Sequence, residues 1–454
     1  MLYFFKKISL LNGGYRMTTP RLADPCSRTR LEIFAAVFFL FNLVFLLFRF
    51  YHIYLFGEAW PIANPLFDSS VRFLDFYEIN RAIYGFNPYI SGLTNYPPLI
   101  LILALPFAFV TDYSRFDSYG AMLGADDPAM KESVMAFVVT SYICILAAII
   151  IGLLIKKRKK SLSDFMSGFI LYALFAVSTP VLFAIDRGNY LLFTTVFLVL
   201  WAVFEEERPD SIWGAIFLGL AAATKIYPVY MLMIYLFARQ WKKLAASVIT
   251  GLVTTIVPIF FFEGSFYDNC RFFYHAVLDF GGGDKGYRPY YNVGITGLVC
   301  YLYRMNGIDP DNAVVKISWF AAGVVLTLLV AFIFVFEKIA WKKVLAVTAL
   351  MVFLTPNSSL YNSCYLIAPI VIMIFGDNEF KLSDMPYLIV TALLMVPFAY
   401  TYLPNVEYNG FYWNMNTAIL VDGLLYLAMI LYYIVTGMIT VIRRLSSNAI
   451  KKPA

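Results

Sequence analysis

Residues 133–155 form an apolar run without a single charge, and it ends in Lys156, Lys157, Arg158, Lys159 and Lys160. A helix needs about 20 apolar residues to cross a bilayer, and Lys and Arg clusters mark the cytoplasmic side. This stretch therefore sets one crossing and its direction. Comparable runs recur at 31–51, 165–185, 190–204, 211–224, 229–238, 244–262, 313–336, 344–355, 360–375, 386–403 and 416–442. Hydrophobic residues make up 61% of the chain and charged residues 14%, against about 25% charged in soluble proteins. No water-facing core absorbs that much apolar surface, so lipid must solvate part of it. The runs are continuous and do not alternate, which points to helices and away from a membrane barrel. The fold class is an all-α polytopic membrane protein.

The basic residues order the rest. Residues 1–30 carry Lys6, Lys7, Arg16, Arg21, Arg28 and Arg30, which predicts a cytoplasmic N-terminus and a retained first anchor at 31–51. A long first outer loop follows. The run 99–110 is short, and a full crossing there would carry Lys156–Lys160 to the outside. It is expected as a half-helix entering from the outer face, and 293–303 as a second. The count becomes about twelve crossings. Residues 31–442 form the membrane domain, and 443–454 a basic cytoplasmic tail. The arms 211–224 and 229–238 flank Lys225-Ile226-Tyr227-Pro228 and read as a broken helix or hairpin. Residues 263–312 read as a second long outer loop whose Gly281-Gly282-Gly283 run is flexible. Lys242 and Lys243 read as plain inner-face anchors. The net charge of +6 belongs to such flanks and gives no ground for nucleic-acid binding. Two histidines exclude a His-rich metal site, five cysteines show no paired spacing, and no GxGxxG is present,.

This topology gathers the unusual polar residues at one face: Asp68, Asp75, Asp186, Arg187, Asn189, Lys225, Arg288, Asn292 and Asn357. An ionisable group beside apolar helices needs a partner or water. Asp186-Arg187 reads either as an interfacial ion pair capping two helices or as part of an anion or sugar site. Lys225 has no carboxylate neighbour in sequence; it is a snorkelling anchor or, with Arg187, a phosphate holder. Asp68 and Asp75 are candidates for a general base acting on a sugar hydroxyl. Equally, they are solvated loop charges paired with Arg72 or Arg81.

The motifs then acquire a likeness. RFLDFYEINRAIYGFNPY and NYPPL, then AIDRGNYLLF, LGLAAATKIYPVYML, YYNVGITGL and LTPNSSLYN stand in order between residues 72 and 362. Each is weak alone, but the ordered set resembles glycosyltransferase family 87, integral membrane enzymes of GT-C architecture. The resemblance implies a polyprenyl-phosphate sugar donor, such as polyprenyl phosphomannose, and a glycolipid or glycan acceptor. It implies inverting transfer at the extracytoplasmic face of the plasma membrane, with no required metal or cofactor. By motif position it implies that Asp75 is the base and that Arg187 and Lys225 lie near the donor phosphate. Asp68, Tyr96, Asp186, Asn189, Tyr227, Arg288, Asn292 and Asn357 are expected as supporting residues. A secondary transporter, or a flippase for a lipid-linked sugar, shares the helix count and the broken helices. Against the transporter, the polar residues gather at one face, away from the midplane, and no two-fold repeat is visible.

Overall fold

The computed structural model describes residues 72–86, 88–89, 94–116, 121–122, 128–156, 178–282, 292–308, 313–376, 381–395, 406–408, 411–413 and 417–450, with positions 40, 43, 47 and 51 and scattered residues between 168 and 176. The described elements are helical apart from one small antiparallel hairpin. In chain order the helices are α1 Leu74–Tyr84, α2 Pro98–Ala108, α3 Pro128–Ile155, α4 Thr179–Asp186, α5 Leu191–Glu207, α6 Trp213–Thr224, α7 Leu232–Phe237 and α8 Trp241–Ile259. They continue as α9 Phe266–Gly282, α10 Ile295–Met305, α11 Ala313–Phe336, α12 Ala340–Leu354, α13 Ile367–Phe375, α14 Met385–Met395 and α15 Thr417–Ile450. The hairpin pairs β1 Val406–Tyr408 with β2 Phe411–Trp413, Val406 opposite Trp413.

Among the described residues, four helices are long and apolar enough to cross a membrane: α3, α8, α11 and, within α15, Leu420–Arg444. Their outward faces carry exposed residues such as Ile143, Leu252, Phe320 and Leu424. Other apolar helices are shorter. The 11 residues of α2 span about 16 Å at 1.5 Å per residue, half of a bilayer core. Helices α5 and α12 are buried on nearly every side, the pattern of a helix surrounded by other helices. They form the centre of the molecule, with α6 against α5 and α8 against α6. The α6–α8 crossing is close, because a Cβ on Gly219 would meet the Ser247 carbonyl oxygen at 2.5 Å. Ser247 donates across the same contact to the Ala215 carbonyl at 2.7 Å, an interface of small residues typical of membrane helices.

Two sequence expectations change here. Residues 263–312 are not only loop. They contain α9, which starts at a cap where Ser265 Oγ accepts from the Asp268 amide at 3.0 Å, and Gly281 and Gly282 close that helix. Lys243 is no plain anchor. It is buried and donates to both Glu205 oxygens at 2.7 Å. Tyr235 Oη donates to the same carboxylate at 2.6 Å, and Trp201 Nε1 donates to Tyr235 at 3.0 Å. This clamp ties α5, α7 and α8 together at the end of the bundle opposite Lys225.

Candidate active site

The site begins where two helix ends meet. Helix α1 leaves its first amides without intrahelical partners, and α4 leaves its last carbonyls so. The fold joins them: Phe73 N–H donates to the Asp186 carbonyl at 2.7 Å and Asp75 N–H to the Arg187 carbonyl at 3.0 Å. Phe73, at the N-cap, takes the left-handed conformation with φ 54, a strained state for a bulky residue that surrounding contacts must hold. Opposite it, Gly188 has φ +64, and a Cβ there would lie 2.4 Å from Phe76 Cβ. Only glycine permits both the turn and the approach.

That junction exchanges charges between two distant segments. Arg72 Nε lies 3.7 Å from Asp186 Oδ1, and Arg187 Nη2 lies 3.6 Å from Asp75 Oδ1. Among the described residues, Asp75 is thus paired with Arg187 and Asp186 with Arg72, across the two segments. Asn189, fully buried, locks the acid in place. Its Nδ2 donates to Asp75 Oδ2 at 2.5 Å and to Tyr96 Oη at 2.8 Å, and its Oδ1 accepts from the Leu191 amide at 2.9 Å. Every polar atom of that amide is used, so the side chain has one orientation.

Tyr96 carries the network onward. Its carbonyl accepts from Tyr89 Oη at 2.8 Å, and its ring lies 4.0 Å from the Lys225 ammonium, with the Tyr227 ring 5.9 Å away. Lys225 sits in extended backbone just past α6. Pro228 lies in the following 3₁₀ turn, Tyr227–Met231, where a residue without an N–H interrupts the helix. Among the described residues no carboxylate lies within ion-pair distance of Lys225. Burial pulls its ammonium down to about 8, and the Asp75 carboxylate opposes that fall. A cavity of about 310 Å³ opens on it, walled by Tyr96, Lys225, Tyr227, Tyr230, Thr355 and Asn357 among others. Such a volume accommodates a small organic ligand.

The structure thus links Asp75, Arg187, Asn189, Tyr96 and Lys225 in one connected set, with Asp186 behind it and Tyr227 and Asn357 in the cavity wall. Asn292 stands behind the wall. Its Nδ2 donates to the Pro356 carbonyl at 2.8 Å, and its Oδ1 accepts from the Gly294 and Ser358 amides at 2.9 and 3.2 Å, which fixes the turn that presents Asn357. Asp68 and Arg288 lie outside the described residues. Sequence reasoning missed Tyr89 and Tyr361. The Tyr361 ring lies tilted against Phe183 with centroids 5.7 Å apart, close enough to feel the charges of Asp75 and Arg187. Both stand inside the quoted motifs, Tyr89 ending the Asn-Pro-Tyr turn, but an aromatic residue in an aromatic-rich chain carries no distinguishing local signal.

An acid held in one orientation, joined to a cavity lined by a half-buried cation, suits group transfer, and known proteins supply the class: the chain matches a family of glycosyltransferases. It belongs to glycosyltransferase family 87, whose profile matches residues 94–360, over half of the chain. The chain is also similar to GPI mannosyltransferase 1 of Candida albicans, 26% identical over 198 residues. That segment covers 43% of this chain and 44% of the relative, so the chain spans less than half the length of the curated protein it matches. No solved structure matches significantly. The family match contains Tyr96, Arg187, Asn189 and Lys225 and begins after Asp75. Asp75 joins the site through its contacts with Asn189 and Arg187.

Proposed function

We propose that the protein transfers a hexose, mannose being the sugar in its relative's name, from a polyprenyl-phosphate donor to a lipid- or glycan-linked acceptor with inversion. The reaction is placed on the extracytoplasmic face of the plasma membrane, both termini being cytoplasmic. About twelve crossings would then include the shorter apolar helices as partial or paired spans.

In this reading the acceptor hydroxyl attacks the anomeric carbon as the sugar–phosphate bond breaks. Asp75 takes the hydroxyl proton. The polyprenyl phosphate leaves with the bonding pair, and Lys225 and Arg187 stabilise the charge that grows on it. A guanidinium has five donors, so Arg187 can face Asp75 and a phosphate together. Tyr96, Asn189, Tyr227, Asn292 and Asn357 orient these groups, and Asp186 anchors the turn; Asp68 and Arg288 remain proposed supports. The observation that supports the reading most is the hydrogen-bonded path from Asp75 through Asn189 to Tyr96, the residue that covers Lys225. The test is transfer of radiolabelled sugar from a polyprenyl phosphosugar by the purified, reconstituted protein. Asp75→Asn, which keeps the volume and loses the base, is expected to lower transfer by about 10²-fold or more with unchanged expression. Near-normal transfer by that variant overturns the assignment. Uptake of sugar into proteoliposomes without transfer would support a transporter or flippase instead.

A further inference from the structure

Helix α9 has an outer face that the proposed reaction does not use. Tyr267, Arg271, Tyr274 and Leu278 follow one another at i, i+4, i+7 and i+11, so they share one stripe. Tyr267, Tyr274 and Leu278 are 72%, 61% and 49% exposed. A water-facing loop helix would present charges along such a stripe. Tyrosine with arginine is instead the composition of a membrane–water boundary, where a ring has an apolar body and a polar tip.

The apolar surface is also continuous with a membrane-crossing helix. Helix α8 exposes Leu252, Val253, Ile256 and Val257 along its lipid-facing side. At its end Phe260, also exposed, stacks on Phe266 at 4.4 Å, the first residue of α9. The inner face of α9 is anchored to the site. Asn269 Nδ2 donates to the Glu263 carbonyl at 2.9 Å, and the Glu263 amide donates to the Phe86 carbonyl at 2.7 Å. The Phe273 ring lies 5.1 Å from Tyr89, which donates to Tyr96. Val277 is itself a wall of the cavity.

We infer that α9 is an interfacial helix. It lies in the phospholipid headgroup layer on the cavity's side of the membrane, with the Tyr267–Arg271–Tyr274–Leu278 stripe toward lipid and Val277 toward the cavity. The wall between cavity and leaflet is then one helix thick. If the proposed function holds, a lipid-borne phosphate reaches Lys225 at headgroup level without leaving the membrane surface.

The test is a depth measurement that needs no transfer activity, so its failure and failure of the proposed function are distinguishable. Spin labels are placed by Tyr274→Cys, Leu278→Cys and Asp268→Cys in a cysteine-depleted parent, reconstituted in phosphatidylcholine/phosphatidylglycerol nanodiscs. Collision with oxygen, which concentrates in lipid, is compared with collision with a nickel chelate, which stays in water. The oxygen-to-nickel ratio at 274 and 278 is expected to exceed that at 268 several-fold. Equal ratios at the three sites overturn the inference, as does shielding of 274 and 278 from both reagents, which would mean that another part of the chain covers the stripe. Tyr274 and Leu278 are exposed and Asp268 is half-exposed at the helix cap, so the substitutions leave the core intact.

Discussion

Asn189 shows how much of the site depends on one side chain. A buried amide with both donor contacts and its acceptor used positions Asp75 and Tyr96 at once. Asn189→Ala removes that positioning but keeps the carboxylate of Asp75. Transfer is expected to fall about 10²-fold, the effect of misplacing a reacting group by about 1 Å. The acid's chemistry would remain, so the loss should be smaller than for Asp75→Asn in the same assay. Lys225 offers a second measurement. Its ammonium is charged below about 8 and neutral above it. If it stabilises a leaving phosphate, the transfer rate falls as pH rises through about 8. Lys225→Arg, whose charge persists far above that range, is expected to remove the alkaline limb even if it lowers the maximum rate. An unchanged alkaline limb in that variant would assign the limb to another group.

At the scale of elements, the site exists because the C-terminal end of α4 docks on the N-terminal end of α1. The contact is a backbone-to-backbone exchange with Gly188 at its closest point. Gly188→Ala adds a methyl group where Phe76 already stands and demands a left-handed backbone from alanine. The expected cost is about 1–3 kcal/mol, read as a lower unfolding midpoint in detergent, together with reduced transfer as Asp75 and Arg187 separate. The break after α6 works differently. There the sequence itself is sufficient, because the apolar run stops at Lys225 and Pro228 follows. Helix α9 was harder to read. Its Ser265-x-x-Asp268 cap is a local signal for a helix start, but the exposed aromatic stripe hides the usual contrast between a buried and a polar face.

For the whole molecule, the Glu205–Lys243 clamp is a charged pair committed to the interior of the bundle. Burying two charges together repays their desolvation only while both are present. Lys243→Ala is expected to cost about 3–5 kcal/mol, while Glu205→Leu combined with Lys243→Met should recover most of the loss. Thermal unfolding of the reconstituted protein would check both. Because the clamp lies away from Asp75, the double variant is expected to retain transfer, which would separate the scaffold from the site.

The sequence by itself determined the membrane class, because hydropathy is a property of continuous segments. It placed α11 at its observed bounds, Ala313–Phe336, since polar residues sharply delimit that run. It also collected Asp75, Arg187, Asn189, Tyr96 and Lys225 as candidates, since charged and amide groups stand out in an apolar chain. What only the tertiary structure decided was the pairing. Asp75 meets Arg187, and Arg72 meets Asp186, across a separation that no local period encodes. The same holds for Lys243, whose sequence context matches any inner-face anchor and whose partner, Glu205, comes from another helix. Hydropathy and spacing act along the chain. A buried charge selects its partner by proximity in the folded bundle, where unpaired charge costs most.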